Sequence, residues 1–246
     1  GSLIACAALF ILIPQYKGEI IIGPASSMTG AESSSLLAND NLFALRYLVQ
    51  RVGVQQGSDF QRFENIYTGP SVASILLQDP RIIHGLKKDR SLIWQSADIN
   101  WNAAKLSDYL KKAIKLSPMG TTNAKKMSYF HPDPTFAKYL LSAIHHIADG
   151  LIRRDIRADS KARVEYLNKA IGDTSNPEHR RALTTLLMEQ ERLLMLVSID
   201  QPYAATVIEP ASSSIKPEWP DKKLLFSALP LIFAFCGFLL AGALRQ

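Results

Sequence analysis

The chain has 246 residues, 47% of them hydrophobic and 20% charged, with a formal net charge of +6. That is long enough for one real core. The positive residues are spread along helical stretches beside acidic partners and form no patch interleaved with aromatics, which argues against a nucleic-acid face. The two cysteines, Cys6 and Cys236, both lie in apolar ends, so no disulfide framework is encoded and the redox compartment stays open.

From the front, residues 3–13 are apolar and stop at Pro14. The run is too short to cross a bilayer alone and no basic stretch precedes it, so it reads as the outer end of a first span that begins before Gly1 rather than as a cleavable signal. Residues 16–24 form a β-branched run closed by Gly23-Pro24, a strand pattern. A Ser/Gly-rich loop at 25–35 feeds a helix with Leu42, Leu45, Leu48, Val49 and Val52 on one face, ended by Gly53. Residues 71–78 and 81–88 are two short helical pieces parted by Asp79-Pro80, because proline disfavours helix at the residue before it. Residues 102–112 form a further amphipathic helix with Ala103, Leu106 and Leu110 inward. A hairpin follows, with strands at 113–118 and 125–131 and turn residues Met119 to Asn123 between them.

Pro132-Asp133-Pro134 marks a sharp boundary, after which residues 135–171 hold no proline. Phe136, Leu140, Ile144, Ile147 and Leu151, then Ala158, Ala162, Tyr166 and Ala170, recur at helical spacing over roughly 55 Å. The distal half is charged almost all round, as a projecting helix would be. Residues 172–177 turn the chain. A second helix at 178–198, with Leu183, Leu186, Leu187, Leu193, Leu194 and Val197 as its stripe, completes a long hairpin. Residues 203–208 read as a strand that rejoins the sheet begun by Glu19 to Ile22. Pro210, Pro217 and Pro220 then stiffen the approach to residues 224–244, an uncharged apolar run of the length that spans a bilayer. Pro230 is placed to kink that span. Gly237, Ala241 and Gly242 put small residues along one side of it, where backbones can approach closely in lipid. Arg245 follows it and Lys222 and Lys223 precede it, so charge does not choose the side of the membrane.

The fold class is therefore α+β: two transmembrane helices bracket an α/β base that carries a long projecting helical hairpin. The divisions are 1–14 (end of the first span), 15–134 (membrane-proximal base), 135–200 (hairpin), 201–223 (return strand and proline-rich segment) and 224–244 (second span). No phosphate-binding loop, nucleophile elbow, zincin helix or paired-cysteine zinc pattern occurs. His145-His146 point about 100° apart on a helix and share no ligand, while Asp149, four residues on, is expected to make at best a surface hydrogen bond. Asp155, Asp159 and Glu165 lie among arginines and a lysine, as on a solvated helix face. No catalytic, metal-binding or cofactor-binding residue is assigned, and the reading is of a non-enzymatic protein.

In this order the features resemble the polysaccharide co-polymerases, the chain-length determinant proteins of the Wzz type. The likeness is carried by Pro14-Gln15-Tyr16-Lys17-Gly18-Glu19 after the first apolar run, by Asp133-Pro134 opening the long helix and by Val164-Glu165-Tyr166-Leu167 within it. Glu209-Pro210, and then Pro217-Glu218-Trp219-Pro220-Asp221-Lys222-Lys223 leading into a Gly-containing span, complete it. The resemblance implies a homo-oligomeric ring in the bacterial inner membrane, with the bulk of each chain, Lys222 and Lys223 included, in the periplasm. It implies a scaffold that sets how many repeat units a polysaccharide polymerase adds to a lipid-linked glycan, the chemistry being the polymerase's own. The alternative it leaves is a co-polymerase and export partner for capsule or exopolysaccharide, working with an outer-membrane exporter or a separate tyrosine kinase.

Overall fold

The structure, a computed structural model, describes residues 13–25, 59–90 and 100–220. The expected helix around Leu42 to Gly53, both apolar ends, and Gly237, Ala241 and Gly242 lie outside the described residues. Among those described, no helix is long and apolar enough to cross a membrane.

In chain order the elements are β1 (Tyr16–Pro24), helical residues 59–66 (α1), α2 (Pro70–Leu76), α3 (Pro80–Lys88), α4 (Ala103–Ala113), β2 (Lys115–Pro118), β3 (Lys125–His131), α5 (Pro134–Asp173), α6 (Pro177–Ser198) and β4 (Ala205–Ser213). The strands make one antiparallel sheet in the order β2-β3-β1-β4, with Tyr16 opposite His131 and Pro24 opposite Ala205. The last strand thus returns to β1, as the sequence pattern anticipates. β4 starts at Ala205 rather than Tyr203: the backbone amides of Tyr203 and Ala204 are bound by the Asp149 side chain of α5, and pairing with β1 begins at Ala205. It also runs on through Pro210. The register against β1 slips between Glu19 and Ile21, where Pro210 lies opposite, and an edge strand at a bulge is where a residue without an N–H costs little.

Local chemistry sets the helix starts. Proline occupies the first turn of α2, α3, α5 and α6, where its missing N–H has no intrahelical partner to lose. Asp79, Asn102, Asp133 and Asn176 each cap a helix by accepting from a first-turn amide.

One face of the sheet is covered by α5 and the short helices. Ile20, Ile22, Met127 and Tyr129 point into a core that also holds Phe63, Leu76, Leu106, Leu140 and Ile144, all buried. The approach of α5 to β1 is close enough that a Cβ on Gly18 would come within 2.9 Å of the Ala137 methyl carbon. On α4, Leu106 and Leu110 are buried as expected, but Ala103 is only half-buried; the third inward position is Ser107, whose hydroxyl donates to Thr68 O at 2.7 Å. The opposite sheet face carries a charged row in which Lys17 meets Glu19 at 2.7 Å and Lys126 meets Glu19 at 3.4 Å.

The helix α5 spans 40 residues, about 60 Å. Its first half is core on several sides; in its second half Asp155 still pairs with Arg62 of α1 at 2.7 Å and Ile156 still packs on the core, and the rest lies along α6. The distal stripe differs from the one read off the sequence: Ala158, Ala162 and Tyr166 face outward, Tyr166 71% exposed, and Ser160 and Leu167 are the buried pair. At about 100° per residue, Leu167 lies about 160° round the helix from Leu151. The reason is that α6 docks on a different side of α5 from the one that packs on the base. Of the α6 stripe only Val197 is fully buried, and Leu186 is exposed.

Candidate functional site

Four polar side chains spaced by four residues run up one flank of α5: His145, Asp149, Arg153 and Arg157. All of them grip the segment that joins α6 to β4. His145 Nε2 donates to Ala205 O at 2.7 Å. Asp149 Oδ1 accepts from the backbone N–H of Tyr203, Ala204 and Ala205 at 2.9, 2.7 and 3.2 Å. Arg153 donates to Ile199 O at 2.9 Å and Gln201 O at 3.2 Å, and pairs with Asp200 at 2.9 Å. Arg157 donates to Val197 O at 2.7 Å, satisfying a last-turn carbonyl of α6.

The geometry follows from helix periodicity. Steps of four residues rise about 6 Å and drift about 40°, so the ladder follows an extended chain crossing the helix at a shallow angle. Acceptors and donors are sorted to match: the carboxylate meets three amides, and the guanidinium groups meet carbonyls. This corrects the expectation for Asp149, which is 3% exposed and not at the surface. It also takes Arg153 out of the solvated face and gives Arg157, itself exposed, a backbone partner. The signal was present as a four-residue spacing of polar residues beside an apolar stripe, but no pairing of those residues with one another announced it.

A second joint ties α3, β3 and the start of α5. His131, fully buried, accepts at Nδ1 from the Asp133 N–H at 2.9 Å, so its Nε2 carries the proton and donates to Gly85 O at 3.1 Å. Burial holds its pKa below the usual histidine value, and the same holds for His145. Beside His131, the Tyr129 and Tyr109 hydroxyls are 2.7 Å apart, and Tyr109 is also bonded to Asp89; burial raises the pKa of all three groups. At the opening of α3, Asp79 binds Arg81 and the Tyr139 hydroxyl of α5, which holds its carboxyl down to about 2. These groups make a satisfied network of the kind that fixes one arrangement of a core.

The third feature is the meeting of the segment before β1 with the segment after β4. Gln15 and Trp219 pair as an antiparallel bridge, Gln15 N donating to Trp219 O at 2.8 Å and Glu218 N to Gln15 O at 2.9 Å. Of the proline positions singled out in the sequence, Pro217 and Pro220 flank this pair, whereas Pro210 lies away from it in β4. They do not converge on one site. At the far end, a shallow open concavity of about 560 Å³ runs along the first turns of α6, lined by Pro177, Arg180, Arg181, Thr184 and Thr185. Its donors are partly used internally: Arg180 bonds Thr174 O at 2.8 Å, and the Thr184 and Thr185 hydroxyls bond carbonyls of their own helix.

No protein-family model matches the chain, and no curated protein matches it in sequence. Among solved structures it is similar to a fragment of WzzB, a polysaccharide co-polymerase from Salmonella Typhimurium, at 10% identity and a TM-score of 0.42 over 84% of this chain and 100% of that one. A full-length bacterial polysaccharide co-polymerase is similar at 12% identity and a TM-score of 0.40, over 99% of this chain and 91% of that one. A mutant of the Shigella flexneri lipopolysaccharide O-antigen chain-length regulator is similar at 10% identity and a TM-score of 0.31, over 83% of this chain and 100% of that one.

Proposed function

We propose that the protein is a non-enzymatic regulator of bacterial polysaccharide chain length, anchored in the inner membrane by its two apolar ends with the described domain in the periplasm. It works as a homo-oligomeric scaffold for a polysaccharide polymerase acting on a lipid-linked glycan. The observation that carries this reading is the Gln15–Trp219 bridge. It brings together the two points from which the apolar segments at 3–13 and 224–244 leave, so that both would enter one membrane from one end of the domain. A second support is the 40-residue helix, latched at its base by hydrogen bonds and projecting past the core. A rigid pillar on a two-point anchor suits a ruler or wall.

Deleting the gene tests the proposal. The expected result is a polysaccharide ladder that loses its preferred length while total polymer continues to be made. A ladder of unchanged length distribution sinks the reading. Crosslinking in the intact cell assigns the partner: a multispan polymerase is expected, and capture of an outer-membrane exporter in its place would favour the export role.

A further inference from the structure

Between Ser214 and Glu218 the chain leaves the sheet as a short loop pinned at both ends. Ser214 N donates to Lys17 O at 2.9 Å, and Glu218 N donates to Gln15 O at 2.9 Å. At the crest, Ile215 is 96% exposed, the most exposed large apolar side chain among the described residues, and Trp219 at its foot is 39% exposed. Lys216 is also exposed, whereas Glu218 turns back toward Lys17, 4.0 Å away. An isoleucine held out by backbone bonds on both sides has not simply failed to find a core.

We infer that the loop carrying Ile215, together with Trp219, is a lipid-interface anchor that seats this end of the domain on the headgroup layer. The occupant is fixed by continuity of the chain: residues 3–13 and 224–244, the apolar runs, continue from the two partners of the Gln15–Trp219 bridge beside which the loop stands. A tryptophan with one apolar and one polar edge is suited to the headgroup level, and an apolar side chain beside a lysine suits the acyl boundary under anionic headgroups. The domain is then oriented by three contacts, two spans and a wedge, which fixes its tilt as well as its position. This inference rests on the membrane-anchored reading above.

The test uses the full chain with Cys6→Ser and Cys236→Ser, carrying an environment-sensitive fluorophore on Ile215→Cys or, as the reference, on Tyr166→Cys in the distal half of α5. Each is reconstituted into vesicles of phosphatidylethanolamine and phosphatidylglycerol containing a lipid with a shallow nitroxide. The probe at 215 is expected to shift to the blue and lose about half of its emission or more, as a group seated about 5–10 Å into the interface does, with no loss at 166. If the protein floats with the vesicles but both probes behave alike, the wedge is overturned and the anchored reading stands. If it does not float, the anchored reading falls and the wedge with it. Self-quenching between labelled copies without nitroxide quenching marks a contact between subunits and overturns the lipid assignment. Should the substitution at 215 prevent folding, quenching of Trp219 by brominated lipid, in a chain with Trp94→Phe and Trp101→Phe, reads the same depth.

Discussion

Single side chains in this protein act mainly by fixing backbone. Asp149 is the clearest instance, because one carboxylate satisfies three consecutive backbone amides. Asp149→Ala strands those donors and is expected to lower stability by about 2–4 kcal/mol, while Asp149→Asn, which keeps one acceptor oxygen, loses about half as much. Denaturant unfolding of both variants checks this, and equal losses would show that the carboxylate's second oxygen is essential too. His131 and His145 give the fold an acid-side sensitivity. Their folded-state pKa values lie below the unfolded value near 6.5, so the unfolded chain takes up protons first as pH falls. The stability due to neutral histidine is fully present above that value and is lost as pH drops below it, until the buried rings also protonate. Unfolding midpoints should therefore fall from pH 7 to pH 5, and the fall should shrink in His131→Gln, whose amide keeps a donor near Gly85 O without titrating.

Among the elements, α5 is the organiser. Its base is a core helix, its flank is a hydrogen-bond ladder, and its tip pairs with α6, so one helix does three jobs in sequence along its length. Arg153 and Arg157 hold the end of α6 through carbonyls of residues 197, 199 and 201 and so complement the negative end of its dipole. Replacing both with alanine is expected to raise hydrogen-exchange rates at residues 197–205 and along α6 while leaving β1 and β3 amides protected. Faster exchange throughout the sheet would mean that the ladder supports the whole fold and not only the return segment. The helix starts were legible because Asp-Pro and Asn-Pro act locally: the cap and the proline need only their own first turn. The hairpin at 115–131 was legible for the same reason, its turn bearing Gly120 at a φ of +61°. The distal face of α5 was not, since apolar spacing marks a face only where a partner covers it, and the partner's side is set by the ladder.

For the molecule as a whole, the division of labour is between a base with a real core and a hairpin with little. All of the largest fully buried side chains belong to the sheet, the short helices or the first half of α5. Replacing residues 158–194 with a short polar turn, which keeps Arg157 opposite Val197, should leave a base that folds with a cooperative thermal transition and native sheet signature. On the proposed function the same deletion should abolish length control in the cell. Loss of the folded base would show instead that the hairpin contributes to the core's stability. Exposed apolar groups along the hairpin, Tyr166, Met188 and Met195 among them, fit a surface that is covered in an assembly. Sedimentation of the purified protein before and after the deletion measures that.

The sequence by itself determined the described elements other than α1, the proline-marked helix boundaries, the return of the last strand to the first and the apolar runs at both ends, because each depends on neighbours in the chain or on a periodicity that one segment carries alone; the helix at 59–66 was not read from it. Only the tertiary structure decided that Asp149 is buried, that the ladder at 145, 149, 153 and 157 binds backbone, that Pro210 belongs to a strand, and that Ile215 stands clear of the fold. Those outcomes turn on which distant segment arrives at a given face. A polar residue's environment is a property of that arrival and not of the residue, so spacing alone cannot separate a solvated arginine from one that closes a helix.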